Sequence, residues 1–465
     1  MDRARRGAGL EASDEIAALT RPADAPATDS GPGSADLGER VRRLRIAAGL
    51  SQTQLAAGRF SKEYVSQIER GKTRPTPDTL VWLGERLGAD TEFLATGVSS
   101  VDRYRWEAAL ARGEALVEQR RYDEAVLELE TSLEAARELG VSSFGVRALA
   151  GLAWARMELG ELQAAIQLLL DARALAEGPT SSDVERADIL FRLGVCRYKL
   201  SSIQTAAGLL DEALLLAERS GHPCDRLRAE ILLWRSRCYR HQRDFLAARE
   251  NVERALELAE ALNDPATAAN AYFQASLVAD REGHPGLARS YAERARSRYE
   301  EIADRAMVGR LLNNLGAFTH MLGRSEEAVE YLKDALRVLL DQGSDVEAAH
   351  VVCSLAEIHL GMGRFEDAES EARTSLDLLG DRVDYIQEIG TAQLALGRSL
   401  MEQDRLDEAQ DILRAADRSF EQLASAGHRA SAWIALGDLA SKRDDDRGAA
   451  GLYRRAAEAL QDVRF

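Results

Sequence analysis

Apolar side chains recur every three or four residues through long segments of the chain from about Arg103 onward. This period is that of one face of an α-helix, so the pattern predicts a succession of long amphipathic helices. Within them, the pair Leu193-Gly194 is followed by Ala206 and Ala213. The same offsets recur from Leu315-Gly316, Leu355-Ala356, Leu396-Gly397 and Leu436-Gly437. Small residues at these offsets let two consecutive helices pack closely as a hairpin.

Weaker copies of the pattern begin near Arg112, Leu152, Arg235 and Ala275, which brings the number of units to nine. Corresponding residues fall at 112, 152, 193, 235, 275, 315, 355, 396 and 436, a spacing of 40 to 42 residues. The pattern resembles the tetratricopeptide repeat, whose usual period is about 34 residues. This resemblance implies a superhelix of helical hairpins over residues 103–465. The additional length predicts either extra helical turns or longer loops between repeats.

Residues 37–97 carry a different pattern, of several short helices with tight turns. Ser51 and Ser61 are suitable N-cap residues for two of these helices. In the helix that follows Ser61, Val65 and Ile68 are expected to face the core. Lys62, Glu63, Ser66 and Gln67 are then left facing outward, with side chains that can bond to base edges in the major groove.

The stretch from Leu37 through Ser51-Gln52-Thr53-Gln54-Leu55-Ala56 to Ser61–Gly71, with Pro75–Leu80 after it, resembles the Xre/Cro-like helix-turn-helix family. The resemblance implies an all-α, five-helix, lambda-repressor-like DNA-binding domain. It also implies base contacts from Lys62, Glu63, Ser66 and Gln67, with Tyr64 at the margin. Contacts to phosphates are implied for Gln52, Lys72 and Arg74, whereas Glu69 matches a position that is usually structural.

Residues 1–36 are predicted to form a disordered N-terminal tail, because they contain few apolar residues and end in a segment rich in proline and glycine. Arg3, Arg5 and Arg6 in this tail could form a basic arm on DNA, or could simply be solvated. The predicted domains are therefore the tail at 1–36, the DNA-binding domain at 37–97 and the repeats at 103–465.

The charge of the chain is distributed unevenly along these domains. Between Leu37 and Gly97 there are ten Lys and Arg residues and seven Asp and Glu residues. This segment therefore has a net charge of +3, whereas the whole chain has a net charge of −17. A basic unit on an acidic body favours local contact with nucleic acid. Taken without the motifs, the same numbers describe an acidic solvated surface.

Other features of the sequence exclude several classes of protein. The four cysteines are far apart, and no apolar run of membrane-spanning length or signal-peptide core is present, so a cytoplasmic protein without structural zinc or disulfides is expected. No phosphate-binding loop, zinc-protease motif or serine-hydrolase elbow is found. The sequence therefore predicts a protein that is not an enzyme and has no catalytic residues, metal or cofactor.

The repeats are expected to enclose a concave groove lined mainly by the first helix of each hairpin. By analogy with the tetratricopeptide family, positions 2, 5, 9 and 12 of each repeat face this groove. The residues predicted there, with Asn314 added as the neighbour of Asn313, are Trp154, Tyr198, Arg237, Arg240, Asn270, Phe273, Asn313, Asn314 and His320. Asparagine can pair with both groups of a peptide backbone, and arginine can bind a carboxylate. Alternatively, the aromatic residues pack neighbouring hairpins together.

The combination of domains resembles that of peptide-responsive regulators of the Rgg and PlcR type. It predicts a sequence-specific DNA-binding transcriptional regulator whose repeats sense a peptide or protein and thereby control dimer geometry. A homodimer on an inverted-repeat operator is expected, because one such domain contacts only a short half-site. The alternative is a non-enzymatic adaptor that docks proteins on its repeats and uses the N-terminal domain as a secondary interaction module.

Overall fold

The computed structural model describes residues 34–97, 99–139, 142–178, 181–380, 382–423 and 425–462. Throughout these ranges the regular structure is helical and no β-strand is present. The all-α prediction is therefore confirmed. The chain divides into two compact units, one up to Pro223 and the other from Cys224 onward. No helix in the described ranges is both long and apolar enough to span a membrane.

The first unit begins with five short helices. Their bounds are Ser34–Ala47 (α1), Gln52–Ala56 (α2), Lys62–Glu69 (α3), Pro77–Leu87 (α4) and Thr91–Thr96 (α5). Helix α1 thus includes the last three residues of the segment predicted to be a tail. The rest of that segment, with Arg3, Arg5 and Arg6, lies outside the described residues.

Local chemistry sets the ends of these helices. The Ser51 hydroxyl accepts a hydrogen bond from the Gln54 amide, and the Gln54 side chain accepts one from the Ser51 amide, which forms a capping box at α2. Thr76 caps α4, which has Pro77 in its first turn and ends at Gly88 in the left-handed conformation. The core between the helices contains Leu37, Val41, Leu55, Ala56, Val65, Ile68, Leu83 and Leu94.

Three helical hairpins complete the first unit. Their helices are Ser100–Glu118 (α6), Tyr122–Leu139 (α7), Ser142–Glu158 (α8), Leu162–Ala176 (α9), Asp183–Lys199 (α10) and Ile203–Arg219 (α11). Helix α6 follows the five short helices directly. It is joined to α5 by an ion pair of 2.5 Å between Arg103 and Glu92, and by a hydrogen bond from the Ser100 amide to the Asp90 carboxylate.

The second unit consists of six further hairpins in its described residues. Their helices are Asp225–His241 (α12), Phe245–Leu262 (α13), Pro265–Arg281 (α14), Pro285–Glu301 (α15), Arg305–Met321 (α16), Ser325–Asp341 (α17), Asp345–Gly361 (α18), Phe365–Leu379 (α19), Ile386–Glu402 (α20), Leu406–Gln422 (α21), Ala426–Lys442 (α22) and Asp446–Asp462 (α23). A short 3₁₀ turn, Val383–Tyr385, precedes α20. Over the described ranges the two units together contain nine hairpins.

The small residues of the repeat lie where the two helices of a hairpin meet. A Cβ atom at Gly316 in α16 would lie 2.8 Å from Cγ of Leu332 in α17, so no larger side chain fits there. Ala328 and Ala335 on the facing helix are fully buried. The extra repeat length is in the helices, because α14 and α15 have 17 residues each and only residues 282–284 join them. Extra helical turns, and not longer loops, therefore account for the additional length of the repeat.

Candidate DNA-binding surface and repeat groove

Helix α3 has one buried and one exposed side. The Ser61 hydroxyl caps it by accepting a hydrogen bond of 3.2 Å from the Tyr64 amide. Val65 and Ile68 are each 1% exposed and pack in the core. Phe60, just before the cap, packs edge-on against Trp82 with ring centroids 5.1 Å apart. Aromatic packing before α3 and two apolar anchors within it fix the orientation of the helix.

The polar side chains predicted to contact bases lie on the other side of α3. Lys62, Glu63 and Gln67 are exposed, and Ser66 is half-buried. The Gln67 side-chain oxygen accepts a hydrogen bond of 3.1 Å from the Thr73 hydroxyl. This bond orients the Gln67 amide, whose nitrogen is then a donor that can read a base acceptor. The helix therefore presents both donors and acceptors.

The residues predicted to contact phosphates differ in their surroundings. Lys72 and Arg74 lie in the loop after α3, and both are exposed. Gln52 is half-buried, and its amide nitrogen donates a hydrogen bond of 2.8 Å to the Glu69 carboxylate. An amide nitrogen has two hydrogens, so a contact between Gln52 and phosphate uses the second. That contact remains a prediction.

Sequence reasoning missed one exposed cation beside α3. Arg59 lies two residues before the cap, with its guanidinium 5.6 Å from the centroid of the Phe60 ring. Its position next to the start of α3 makes it a further residue able to contact phosphate. The signal in the sequence was the proximity of Arg59 to Ser61. Arg59 itself is not part of the family motif.

In the second unit, a cavity of about 330 Å³ opens on the first helices of neighbouring repeats. It brings together three of the predicted groove residues, Phe273, Asn313 and Asn314. The other side chains that line it are Arg310, Leu339, Val346, Glu347, His350, Val351 and Glu388. The cavity therefore combines an apolar wall with amide and charged groups, as ligand sites commonly do.

One polar atom of this cavity lacks a hydrogen-bond partner in the part of the chain that the structure describes. The side-chain oxygen of Asn313 is buried and accepts no hydrogen bond within the described residues. A buried acceptor of this kind is stabilised when a ligand supplies an N–H or O–H group. Arg310 donates a hydrogen bond of 2.7 Å to Glu347. A cationic and an anionic group of the wall therefore neutralise each other, whereas Glu388 adds a second carboxylate.

Arg310 and His350 line the cavity but were absent from the predicted groove. Both occupy position 2 of their repeats, five residues before Leu315 and Leu355. Position 2 is one of the offsets assigned to the groove, so the repeat pattern contained this signal. Glu388 lies outside the four offsets, and the repeat pattern gave no signal for it.

The remaining predicted groove residues are not part of this cavity. In the first unit, Trp154 stacks on Phe191 with ring centroids 6.1 Å apart, and Tyr198 is half-buried. Trp154 therefore packs neighbouring hairpins, which is the alternative considered for the aromatic residues. In the second unit, Asn270 accepts a hydrogen bond of 2.5 Å from the Tyr299 hydroxyl. The His320 imidazole pairs with the Ser325 hydroxyl at 2.9 Å, at the turn of its hairpin.

Arg237 and Arg240 lie on α12, where basic and aromatic side chains are concentrated. The Arg237 guanidinium lies 4.1 Å from the centroid of the Trp234 ring. Arg240 and Arg281 are near His241, whose pKa is lowered, first by burial and then by these two positive charges. The protonated imidazole is therefore disfavoured in this locally basic environment.

Comparison with known proteins identifies the N-terminal domain. The family model described as a helix-turn-helix domain matches residues 36–96. An uncharacterized HTH-type transcriptional regulator, y4dJ of Sinorhizobium fredii strain NGR234, is 39% identical over 61 residues, which are 13% of this chain and 79% of that protein. The chain belongs to the helix-turn-helix transcriptional regulators. Regulation of transcription through DNA binding is the function of this class.

The C-terminal part of this helix-turn-helix regulator matches tetratricopeptide-repeat models at residues 307–380 and at 110–182 and 353–424. The apo quorum sensor NprR from B. thuringiensis has a TM-score of 0.59 at 14% identity, over 80% of this chain and all of that one (100%). Apo RapI has a TM-score of 0.60 at 11% identity, and the match covers 77% of this chain and 98% of RapI. A Rap protein complexed with competence and sporulation factor has a TM-score of 0.51 at 16% identity, and the match covers 77% of this chain and 99% of the Rap protein. These similarities establish the repeat fold of the regulator.

Proposed function

We propose that this regulator binds an inverted-repeat operator through α3 and that its repeats sense a peptide or an extended protein segment. The observation that carries the first part is the two-sided character of α3. Val65 and Ile68 anchor it in the core, while Lys62 and Glu63 remain exposed at its start. A helix held in this way can enter the major groove without loss of core packing.

The proposed base contacts follow from the donors and acceptors of each side chain. Lys62 suits the acceptors of guanine, Gln67 suits adenine, and Glu63 can accept from the amino group of cytosine. Ser66 can bond with several bases. Lys72, Arg74 and Gln52 would bind phosphates and so fix the register of the domain on DNA without reading its sequence.

A single domain of this size contacts only a short half-site, so specific binding calls for two copies of the chain. The two recognition helices would then occupy major grooves about 34 Å apart, one turn of B-DNA. This requirement supports a homodimer on an inverted repeat.

The sensing part of the proposal rests on the cavity around Asn313. An extended peptide supplies backbone N–H groups for the unpartnered Asn313 oxygen and carbonyl groups for the Asn314 amide. It also supplies side chains for the apolar wall formed by Phe273, Leu339 and Val351. NprR is a quorum sensor, and the Rap protein forms a complex with competence and sporulation factor. Both relatives are compatible with a small signalling ligand here.

The DNA-binding part is tested by sequencing the genomic fragments that the purified full-length protein retains. An inverted repeat should emerge, and binding should weaken steeply with added salt. Lys62→Ala and Gln67→Ala should each reduce affinity for the repeat about 5- to 100-fold, the range of a lost bidentate base contact. Lys333→Ala, a cation on α17, is the matched control and should leave affinity unchanged. Equal loss with all three variants, or no selected sequence, would contradict the proposal.

The sensing part is tested by screening a random-peptide library for ligands that raise the melting temperature of the full-length protein. Hits should lose at least about tenfold in affinity with Asn313→Ala, because a buried hydrogen bond contributes about 1.5 kcal/mol. Asn270→Ala, outside the cavity, is the control. If ligands bind both variants equally, the cavity is not the sensor site.

A further inference from the structure

Helix α6, which connects the DNA-binding helices to the repeats, is apolar on two opposite faces. One face contains Ala109, Leu110 and Gly113, which are buried against the rest of the first hairpin. On the opposite face, Val101 and Tyr104 are 73% and 75% exposed, more than any other large apolar side chain of the described residues. A surface helix ordinarily presents polar residues to water. The exposed face therefore requires an explanation.

The exposed apolar residues of α6 form a continuous line along the helix. Val101 and Tyr104 are followed by Ala108, Ala111 and Ala115, with intervals of three and four residues in alternation. This is the a and d spacing of a two-stranded coiled coil. Ala111 and Ala115 are exposed, and Ala108 is half-buried. We call this line of five residues the α6 seam.

Charged residues flank the seam in an ordered way. Glu107 and Glu114 occupy the g positions on one side, and Arg105 and Arg112 occupy the e positions on the other. In a parallel pair, Glu107 faces Arg112 of the second copy, and the converse contact forms as well. In an antiparallel pair, glutamates would face glutamates and arginines would face arginines. Charge complementarity therefore selects a parallel arrangement.

We propose that the α6 seam pairs with the seam of a second copy of this chain, as a short parallel coiled coil. This inference rests on the proposed function, for which two DNA-binding domains must be related by a two-fold axis. Three of the flanking charges already have partners within the chain: Glu107 pairs with Arg103 at 3.2 Å, Arg112 with Glu128 at 2.9 Å, and Glu114 with Arg147 at 2.7 Å. Exposed pairs of this kind contribute little to stability, so they can be exchanged for contacts between copies.

The location of the seam gives the pairing a consequence for DNA recognition. Helix α6 is joined to the DNA-binding domain through Arg103–Glu92 and through the bond from the Ser100 amide to Asp90. Pairing of two α6 helices would therefore set the separation of the two recognition helices. Two heptads make a short coiled coil, and helices of this length are marginal on their own. The dimer is expected to be weak in solution and strengthened by operator DNA.

The first experiment measures self-association of the full-length protein by sedimentation equilibrium. Replacement of Val101 and Tyr104 by glutamate should raise the dimer dissociation constant at least about tenfold, because four charges then meet in the seam. The matched control is Leu127→Glu, since Leu127 is 67% exposed on α7, outside the seam. Circular dichroism of each variant verifies the fold. An unchanged dissociation constant for the double variant would overturn the proposal.

A charge-exchange experiment tests the pairing independently of the apolar residues. Glu107→Arg and Arg112→Glu should each weaken the dimer, because each places like charges opposite one another. The chain with both changes should recover the affinity of the original protein to within about threefold. The double change restores opposite charges only between copies, since Glu107–Arg103 and Arg112–Glu128 are both broken within each copy. Failure of the double variant to recover would overturn the proposal.

Thiol crosslinking determines the orientation of the two helices. Tyr104→Cys and Ala111→Cys, each introduced together with Cys224→Ser, should both form covalent dimers with a short bifunctional reagent. In a parallel pair, each cysteine lies beside the same cysteine of the second copy. An antiparallel pair cannot bring equivalent cysteines together at both positions. Thr131→Cys, exposed on α7, is the control. A crosslink from α6 to any other segment would overturn the proposal.

These outcomes can be separated from failure of the proposed function. A protein that is monomeric both in solution and on its selected DNA would overturn the α6 pairing and leave DNA recognition intact. A protein that dimerises through α6 but selects no DNA would overturn the proposed function and leave the pairing intact.

Discussion

The guanidinium of Arg45 in α1 and the carboxylate of Glu69 at the end of α3 form a buried ion pair with two hydrogen bonds. The distances are 2.6 Å from Nε to Oε1 and 3.1 Å from Nη2 to Oε2, and the side chains are 13% and 4% exposed. Gln52, in α2, adds a third hydrogen bond to Glu69. The end of α3 is thereby fixed to both preceding helices.

Removal of one partner of this pair should destabilise the DNA-binding domain strongly. Glu69→Ala leaves the Arg45 cation buried without its counter-charge, which typically costs about 3–5 kcal/mol. Hydrogen exchange of the full-length protein, read by mass spectrometry, should show this loss in peptides from residues 34–97. Replacement of both residues, Arg45→Met with Glu69→Leu, should cost less than Glu69→Ala alone. An equal or larger loss in the double variant would contradict this account.

The same ion pair should make the stability of the domain depend on pH in the acidic range. Burial would raise the pKa of Glu69, but hydrogen bonds from Arg45 and Gln52 outweigh burial and hold that pKa below its ordinary value of 4.5. A carboxylate with a lowered folded pKa contributes stability that is present above the unfolded pKa and is lost as the pH falls through the folded pKa. The part of the hydrogen-exchange protection of α3 that Glu69 contributes should stay constant from neutral pH to about 5 and decline below 4.5. In Glu69→Gln this decline should be absent.

Several hairpin turns place a residue other than glycine in the left-handed conformation. Arg243 has φ of 62°, whereas Gly363 occupies the corresponding place two residues after α18 with φ of 75°. Arg243→Gly should raise the free energy of unfolding by about 0.5–1 kcal/mol, because glycine avoids the steric cost of this conformation. Gly363→Ala should lower it by a similar amount. Urea titration measures both, and the same sign for the two variants would be inconsistent with the turn geometry.

The contact between α16 and α17 leaves no space for a side chain at Gly316. Gly316→Leu should lower the free energy of unfolding by about 1–3 kcal/mol, since the new side chain meets Leu332. Leu332→Ala introduced into the same chain should recover part of this loss. Its control is Leu332→Ala alone, which removes buried volume and should destabilise by about 2–5 kcal/mol. Strictly additive effects would show that the two residues do not compete for the same space.

Thiol reactivity should report the burial of the cysteines. Burial raises the pKa of Cys353 to about 12 and that of Cys196 to about 11. Cys238 is also buried, whereas Cys224 is half-buried. Of the four cysteines, only Cys224 should react within minutes with a chromogenic disulfide at pH 8, and all four should react in denaturant. Rapid reaction of Cys353 in the folded protein would indicate opening of α18.

The repeat pattern predicted the architecture well because its physical basis is local. Helical periodicity assigned Leu193 and Leu315 to the interior, and both are buried. Small residues every 40 to 42 positions marked the hairpins. The extra length of the repeat could not be placed, since either helices or loops can absorb it. The structure places it in helices of 17 residues.

The candidate sites were predicted only in part. The sequence placed Val65 and Ile68 inward and Lys62 outward, because a helix of known start has defined faces. It did not foresee that Gln52 bonds to Glu69, a contact between residues 17 positions apart. It selected Phe273, Asn313 and Asn314, yet Trp154 packs on Phe191 instead of lining the cavity.

The sequence by itself determined which residues are helical, which sides of the helices are apolar and where a DNA-binding domain gives way to repeats. These properties depend on neighbours three or four positions away. Only the tertiary structure decided that Asn313 shares a cavity with His350 and Glu388, and that Arg45 forms an ion pair with Glu69. Such pairs depend on how separate helices pack, and periodicity specifies the face of a helix without specifying its partner.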